Sequence, residues 1–403
     1  MVFGAVSPIV ISFLIIKTIE KYFGEKEELM KFIFGLSALI FIVFGILILI
    51  GNPISFISGK GFEGYLGNDI AVGENYAPSI YQWQWQKAMA WVRENTSEDA
   101  VFAHWWDYGY WLQSIGERST IVDGGNAIVY WDYLMGRYVL TEPDEKTVLE
   151  FLYTHNGTHL LIDSTEIGKY TAFSSIGSNK NYDRFSWIPS LVMNPTQTQE
   201  TKNETIYLYQ GGSQLDEDII WNVNGEDIIL PKKGAYIGAI LLKKDNKDNY
   251  LQPEGVYAYK DRFYNIPLKY LYIDGKLKKF NSGLEAGAFV FPSLSEATKG
   301  VNVNKIGAAL YLSNRTVNSQ LVRLYLFNEK SDYFKLVHNE ENLLISNLKS
   351  QNVNLGDFVY YQGFQGPIRI WEINYPKDIK ANPEFLKTDY PNLDLKLAKS
   401  GEY

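Results

Sequence analysis

The sequence predicts an α/β (α+β) core that follows one or two transmembrane helices and carries a β-rich, sandwich- or barrel-like peripheral domain. Three observations predict it. Residues 1–51 are apolar apart from one charged loop, strand and helix signals alternate from about 79 to 176, and strand signals dominate from about 236 onward. Of 403 residues, 46% are hydrophobic and 15% aromatic, with 10 Trp, 29 Tyr and 22 Phe. That is material for two or three domains with large cores. A formal net charge of −8 and no basic stripe exclude a nucleic-acid partner. Cysteine is absent, which excludes a disulfide framework, zinc-thiolate sites and a cysteine nucleophile.

Within 1–51, two apolar stretches cover 2–16 and 32–50, the second about 19 residues long and sufficient to cross a bilayer as a helix. The loop between them carries Lys17, Lys21, Lys26 and Lys31, which places it on the cytoplasmic side and the rest of the chain outside. A signal peptide fits less well, because the second span lacks the expected flanks and cleavage site. The first span is short, as in the tail end of a larger membrane protein. A glycine-rich linker spans 51–77. Helical spacing follows over 79–95, with Ile80, Trp83, Met89 and Val92 on one side. A strand at 100–103 leads to a helix capped by Asp107 and stopped at Gly116. A second strand, 119–122, ends in the turn Asp123-Gly124-Gly125-Asn126. Helices are predicted over 128–140 and 143–155, the latter opened by Pro143. A buried strand at 158–162 and a helix at 166–176 complete an α/β alternation with a partly parallel sheet.

From 181 to about 230 Asn, Gln, Thr and Gly rise, as in an inserted loop-rich or β element. Strand signals then fall at 236–242, 256–259, 270–273, 288–291, 306–312, 321–327, 333–338, 358–361 and 368–373. The domain plan is therefore 1–51 membrane helices, 52–281 external mixed α/β core with an insert at about 181–230, 282–376 β-rich domain, and 377–403 tail.

Chemistry concentrates at His104-Trp105-Trp106-Asp107-Tyr108-Gly109-Tyr110-Trp111. The cluster lies where a strand gives way to a helix, the edge at which α/β sheets bind ligands. A carboxylate only accepts hydrogen bonds, so Asp107 suits a hydroxyl or amide, with indoles supplying walls and N–H donors. The plainer reading makes Asp107 a helix cap and the tryptophans core anchors. Glu166 and Lys169, taken alone, read as an exposed helical ion pair worth a few tenths of a kcal/mol. Asp216, Glu217 and Asp218 read as a solvated turn, and the four histidines show no metal spacing. Asn95, Asn156, Asn203 and Asn314 each begin an Asn-x-Ser/Thr sequon.

Trp105-Trp106-Asp107-Tyr108-Gly109 resembles the WWDYG signature of the oligosaccharyltransferase catalytic subunit, the STT3/AglB family of asparagine-linked glycosylation. Glu166-Ile167-Gly168-Lys169-Tyr170-Thr171-Ala172-Phe173 resembles that family's DK motif, Asp-x-x-Lys-x-x-x-(Met/Ile), with Glu166 in place of Asp and Phe173 in place of Met or Ile. The Gly-Gly-Asn turn makes the archaeal type, in its carboxy-terminal portion, the better match. The resemblance implies that Trp105, Trp106 and Asp107 grip the Ser or Thr hydroxyl two places after the acceptor asparagine. Lys169 and Phe173 flank that pocket, Phe173 near the threonine methyl, while Tyr108, Gly109 and Glu166 support the motifs. It implies a glycosyltransferase of the cell membrane that moves a dolichol-linked oligosaccharide to Asn in Asn-x-Ser/Thr. It also implies Mn²⁺ or Mg²⁺ held by acidic residues of an amino-terminal membrane half. No ligand for that metal and no catalytic residue is identified in this sequence, so the chain alone is expected to bind acceptor without transferring sugar. The rival from another class is a membrane-anchored extracellular carbohydrate-binding or adhesion module without catalysis.

Overall fold

The computed structural model describes residues 83–125, 129–223, 225–296 and 301–387, together with Phe13 and Lys17. The chain divides into two units, Met1–Ser79 and Ile80–Tyr403, and the elements below belong to the second. Apart from Phe13 and Lys17, the spans predicted within 1–51 lie outside the described residues, as do the linker and the tail from 388. Among the described residues no helix is long and apolar enough to cross a membrane.

Strand and helix alternate first, as α1 (Trp83–Asn95), β1 (Val101–Ala103), α2 (Gly109–Ser114), β2 (Ser119–Thr120), α3 (Val129–Met135), α4 (Glu145–Thr154), β3 (His159–Ile162) and α5 (Glu166–Ile176). α1 buries Trp85, Ala88, Met89 and Val92, a stripe at helical spacing. α4 opens on Asp144, whose carboxylate accepts the Thr147 N–H at 3.2 Å. That bond satisfies one of the amides a helix start leaves orphaned. β1 lies between β2 and β3 and pairs parallel with both. Phe102, Ala103, Leu160, Leu161 and Ile162 are all buried, as expected of parallel strands covered on both faces.

The chain then builds β4 (Ser190–Met193), β5 (Glu204–Gln214), β6 (Tyr236–Asp245), β7 (Glu254–Tyr259), β8 (Arg262–Ile273), β9 (Leu284–Glu296) and β10 (Val301–Leu312). These pair in the order β8-β7-β6-β5-β4-β10-β9, and β9 returns to pair parallel with β8. The sheet closes on itself as a barrel, which removes the open edges these strands would otherwise present. Its interior is filled by side chains such as Tyr209, Ile240, Leu242, Ile266 and Leu268. Two buried phenols, Tyr257 and Tyr311, satisfy each other across 2.9 Å.

Two last strands, β11 (Phe334–Glu340) and β12 (Ile368–Ile373), return to the first sheet and complete the order β11-β12-β3-β1-β2. The predicted boundary at 282 therefore falls inside the barrel. β4 to β8 come from its amino-terminal side, β9 and β10 from the other, and β11 and β12 belong to the α/β sheet. The β9–β10 hairpin explains why. Phe289, Phe291, Ala308 and Leu310 enter the α/β core, while Ala288, Val290, Ala309 and Tyr311 enter the barrel. A strand apolar on both faces shows no alternation that would assign it to one domain.

Two smaller expectations are corrected. The strand predicted at 321–327 is a π-helical turn, Val322–Leu326, behind the short helix Asn314–Val317. Leu321, Val322, Leu324, Tyr325 and Leu326 are all buried, so the run lacks the polar face that reveals a helical period. Asp216, predicted in a solvated turn, is buried and accepts the hydroxyls of Ser186, at 2.5 Å, and of Ser313.

Candidate functional site

β1 and β3 are parallel neighbours, so the segments leaving their carboxyl ends emerge side by side. After β1 the chain enters a single 3₁₀ turn, Trp106–Tyr108, and runs directly into α2. The Asp107 cap predicted for that helix is not formed, for no side chain caps either element. Asp107 instead forms an ion pair with Lys169 of α5, 62 residues away in sequence. Glu166 is fully buried, and Lys169 points to Asp107, so the exposed helical pair expected of Glu166 and Lys169 is replaced by a contact between the two motifs.

Tyr108 is the hub beneath that pair. It is buried, and its ring stacks on Trp85 of α1 at 4.7 Å between centroids. The Lys169 ammonium lies 4.9 Å from the same ring centre and donates to the phenol oxygen at 3.3 Å, a cation–π arrangement. The hydroxyl also contacts Thr165 Oγ1 and donates to Asp163 Oδ1 at 3.4 Å. Asp163, the first residue past β3, accepts the Thr165 N–H at 2.8 Å, and Glu166 Oε2 accepts the Asp163 N–H at 3.3 Å. The two bonds resemble the reciprocal pattern of a capping box, set in the turn ahead of α5, whose own N-cap Thr165 makes no side-chain cap bond. The signature of that pattern, Asp163-Ser164-Thr165-Glu166, stands in the sequence and would have marked Asp163 and Thr165, which sequence reasoning missed.

The five residues expected to bind acceptor come together but differ in exposure. The side chains of Asp107 and Lys169 are 18% and 28% exposed, and Trp106 is half-buried. Trp105 and Phe173 are buried and meet at 5.6 Å between ring centres, with Tyr170 packed on Phe173 at 4.9 Å. They form the floor on which the other three stand. Gly109 is needed for close approach. A Cβ built there would lie 2.3 Å from Asp123 Cα and 2.8 Å from the Val122 carbonyl oxygen. The Tyr110 ring likewise covers Gly124, where a Cβ would come within 2.4 Å. The turn after β2 is thus locked against the motif. Asp123 itself accepts Gln113 Nε2–H at 2.9 Å and the Gly125 N–H at 2.8 Å, which together lower its pKa.

Electrostatically the site is acid-rich and buried at its base. Burial pushes the Glu166 carboxyl well above the carboxylate range, aided by Asp163 and Asp107 and opposed by Lys169. Burial also raises Asp163, against the hydrogen bonds from Thr165. Burial, then Asp107 and Asp123, bring Asp132 of α3 up to about 7. His104 is buried with Nδ1 2.6 Å from the Trp105 carbonyl oxygen and Nε2 unpartnered. Burial lowers its pKa to about 4, outweighing that bond. Among the described residues no group of three His, Asp or Glu side chains is arranged to hold a metal. The four sequon asparagines are exposed, but the Thr316 hydroxyl of the Asn314 sequon is buried and donates to the Ser313 carbonyl at 3.1 Å.

No family model matches the chain. Curated relatives do, and they are glycosyltransferases by name. The chain is 49% identical over 45 residues to dolichyl-phosphooligosaccharide-protein glycotransferase 1 of Pyrococcus furiosus, a match covering 11% of this chain and 5% of that one. It is 28% identical over 131 residues to the STT3 subunit of the dolichyl-diphosphooligosaccharide–protein glycosyltransferase of Saccharomyces cerevisiae, covering 32% of this chain and 17% of the relative. The matches thus span a small part of those relatives' length. Among solved structures, the Archaeoglobus fulgidus oligosaccharyltransferase tethered to an acceptor peptide containing an NVT sequon is a loose likeness. It has a TM-score of 0.36 and 15% identity, covering 68% of this chain and 25% of that one. Over these matched segments the chain is similar to oligosaccharyltransferase catalytic subunits of the STT3/AglB type.

Proposed function

We propose that this chain is the carboxy-terminal portion of an oligosaccharyltransferase, the membrane enzyme that transfers a lipid-linked oligosaccharide to asparagine in Asn-x-Ser/Thr. Its role is to receive the acceptor polypeptide, with Trp106, Asp107 and Lys169 reading the Ser or Thr hydroxyl at the second position after asparagine. Trp105 and Phe173 shape that pocket from beneath. The observation that supports this most is the Asp107–Lys169 pair, which joins the two motifs at the carboxyl ends of β1 and β3. A hydroxyl both donates and accepts. Between a carboxylate and an ammonium it finds a partner for each role; the threonine methyl expected beside Phe173 is assigned instead to the half-buried Trp106, because Phe173 is fully buried. The metal and the bond-making groups implied for the whole enzyme belong to its amino-terminal membrane half, and the large domain faces outward from the cell membrane.

A hydrogen bond to a charged group contributes about 1.5–3 kcal/mol, so the full chain should prefer an Asn-x-Thr peptide over Asn-x-Ala by about 10- to 100-fold. Asp107→Asn and Lys169→Met should each remove most of that preference. Equal affinity of the unaltered chain for both peptides, with saccharide bound in their place, would replace this reading with that of a carbohydrate-binding module.

A further inference from the structure

We propose that Glu166 stands in the folded protein as a neutral carboxylic acid and is the positioning residue that keeps Lys169 committed to Asp107. The inference rests on the pocket described above and deepens it. Three carboxyl groups, those of Asp107, Asp163 and Glu166, converge on Lys169, the cation that acts on each of them. Asp107 is partly exposed and ion-paired. Asp163 is buried but has the Thr165 N–H and the Tyr108 hydroxyl as donors. Glu166 is fully buried and has one donor, the Asp163 N–H at 3.3 Å, while its Oε1 has no hydrogen-bond partner among the described residues. A charged carboxylate with such an oxygen in a buried, low-dielectric interior is far costlier than a neutral acid in the same place. The proton therefore resides on Glu166, in accord with the direction in which burial and its acidic neighbours push it.

The consequence lies one helical turn away. Residues three apart on a helix are neighbours, so an ionised Glu166 would compete for the Lys169 ammonium and draw it inward from Asp107. A neutral Glu166 keeps the bond to the Asp163 N–H and makes no such claim. The charge pair then faces the acceptor with Tyr108 beneath it. Tyr325, a buried phenol on which Glu166 acts electrostatically, donates its hydroxyl to the Pro367 carbonyl at 2.7 Å and not to Glu166.

The test uses the full chain and three readouts. An infrared difference spectrum of unaltered protein minus Glu166→Gln at pH 7.5 should show one protonated-carboxyl C=O band. Its absence overturns the proposal without requiring any variant to bind peptide. Acylation of Lys169 by acetic anhydride, followed by peptide mass mapping, should proceed at the unaltered rate in Glu166→Gln, the isosteric neutral replacement. It should rise at least fivefold in Asp107→Asn. A Glu166→Gln protein as reactive as Asp107→Asn overturns the positioning role. Finally, Glu166→Gln should bind the Asn-x-Thr peptide within twofold of the unaltered chain from pH 6 to 8, and a loss of tenfold or more overturns the proposal. If the unaltered chain binds neither peptide, the pocket reading fails, and the infrared and acylation results still decide the state of Glu166.

Discussion

Replacing Gly109 by alanine separates steric closeness from backbone preference. Gly109 has φ −55° and ψ −48°, ordinary helical values, so alanine meets no conformational barrier. On propensity alone it should stabilise α2 by about 0.5–1 kcal/mol. Against this, the added methyl would stand 2.3 Å and 2.5 Å from Asp123 Cα and Cβ and 2.8 Å from the Val122 carbonyl. Contact of ordinary carbons begins near 3.5 Å, so the two backbones must separate by about 1 Å or more. Overpacking of this kind costs about 1–3 kcal/mol and here strikes backbone, which cannot rotate away. The net expectation is a loss of about 2 kcal/mol, a drop in Tm of about 4–8 °C at the 2–4 °C per kcal/mol typical of large domains. Gly168 is the control. It lies exposed in α5, and a Cβ there meets nothing within 4 Å, so Gly168→Ala should raise Tm. The assay is thermal unfolding of the full chain by circular dichroism. A Gly109→Ala protein at or above the unaltered Tm would refute the close-approach argument.

Three further outcomes follow from the same geometry. Phe173→Ala should destabilise by about 3–5 kcal/mol, because the ring is fully buried between Trp105 and Tyr170; urea unfolding measures this, and a loss below 1 kcal/mol would place the ring outside the core. His104 is neutral in both states above about 6.5, but between there and about 4 the unfolded chain takes up a proton the fold refuses. Its contribution therefore weakens as pH falls, by about 3 kcal/mol in all, and His104→Gln should flatten that part of the urea-midpoint profile relative to the unaltered chain. Asp132 has the opposite sign. Its folded pKa of about 7 lies above the ordinary aspartate value of 3.8, so its contribution is fully present below about 3.8 and lost as pH rises through 7. Asp132→Asn should raise Tm at pH 8 and leave it nearly unchanged at pH 4.

The motif residues and the alternation of strand and helix from 83 to 176 were legible because each is written in local chemistry. Helical stripes, turn glycines and the aromatic-acid cluster occupy neighbouring positions in the chain. What local chemistry determined was the inventory: an acid among tryptophans, a lysine on a later helix, and strands enough to close a sheet. Tertiary structure decided the pairings. Asp107 was free to cap its own helix until the parallel register of β1 and β3 carried Lys169 within reach of it. Glu166 looked like a surface charge until its bond to the Asp163 N–H turned it inward. β9 and β10 fell on the far side of a domain boundary until closure with β8 made them barrel strands with a second face in the α/β core. Each of these depends on contacts between residues distant in sequence, where burial and charge pairing outweigh local preference, and no single window of the chain contains both partners.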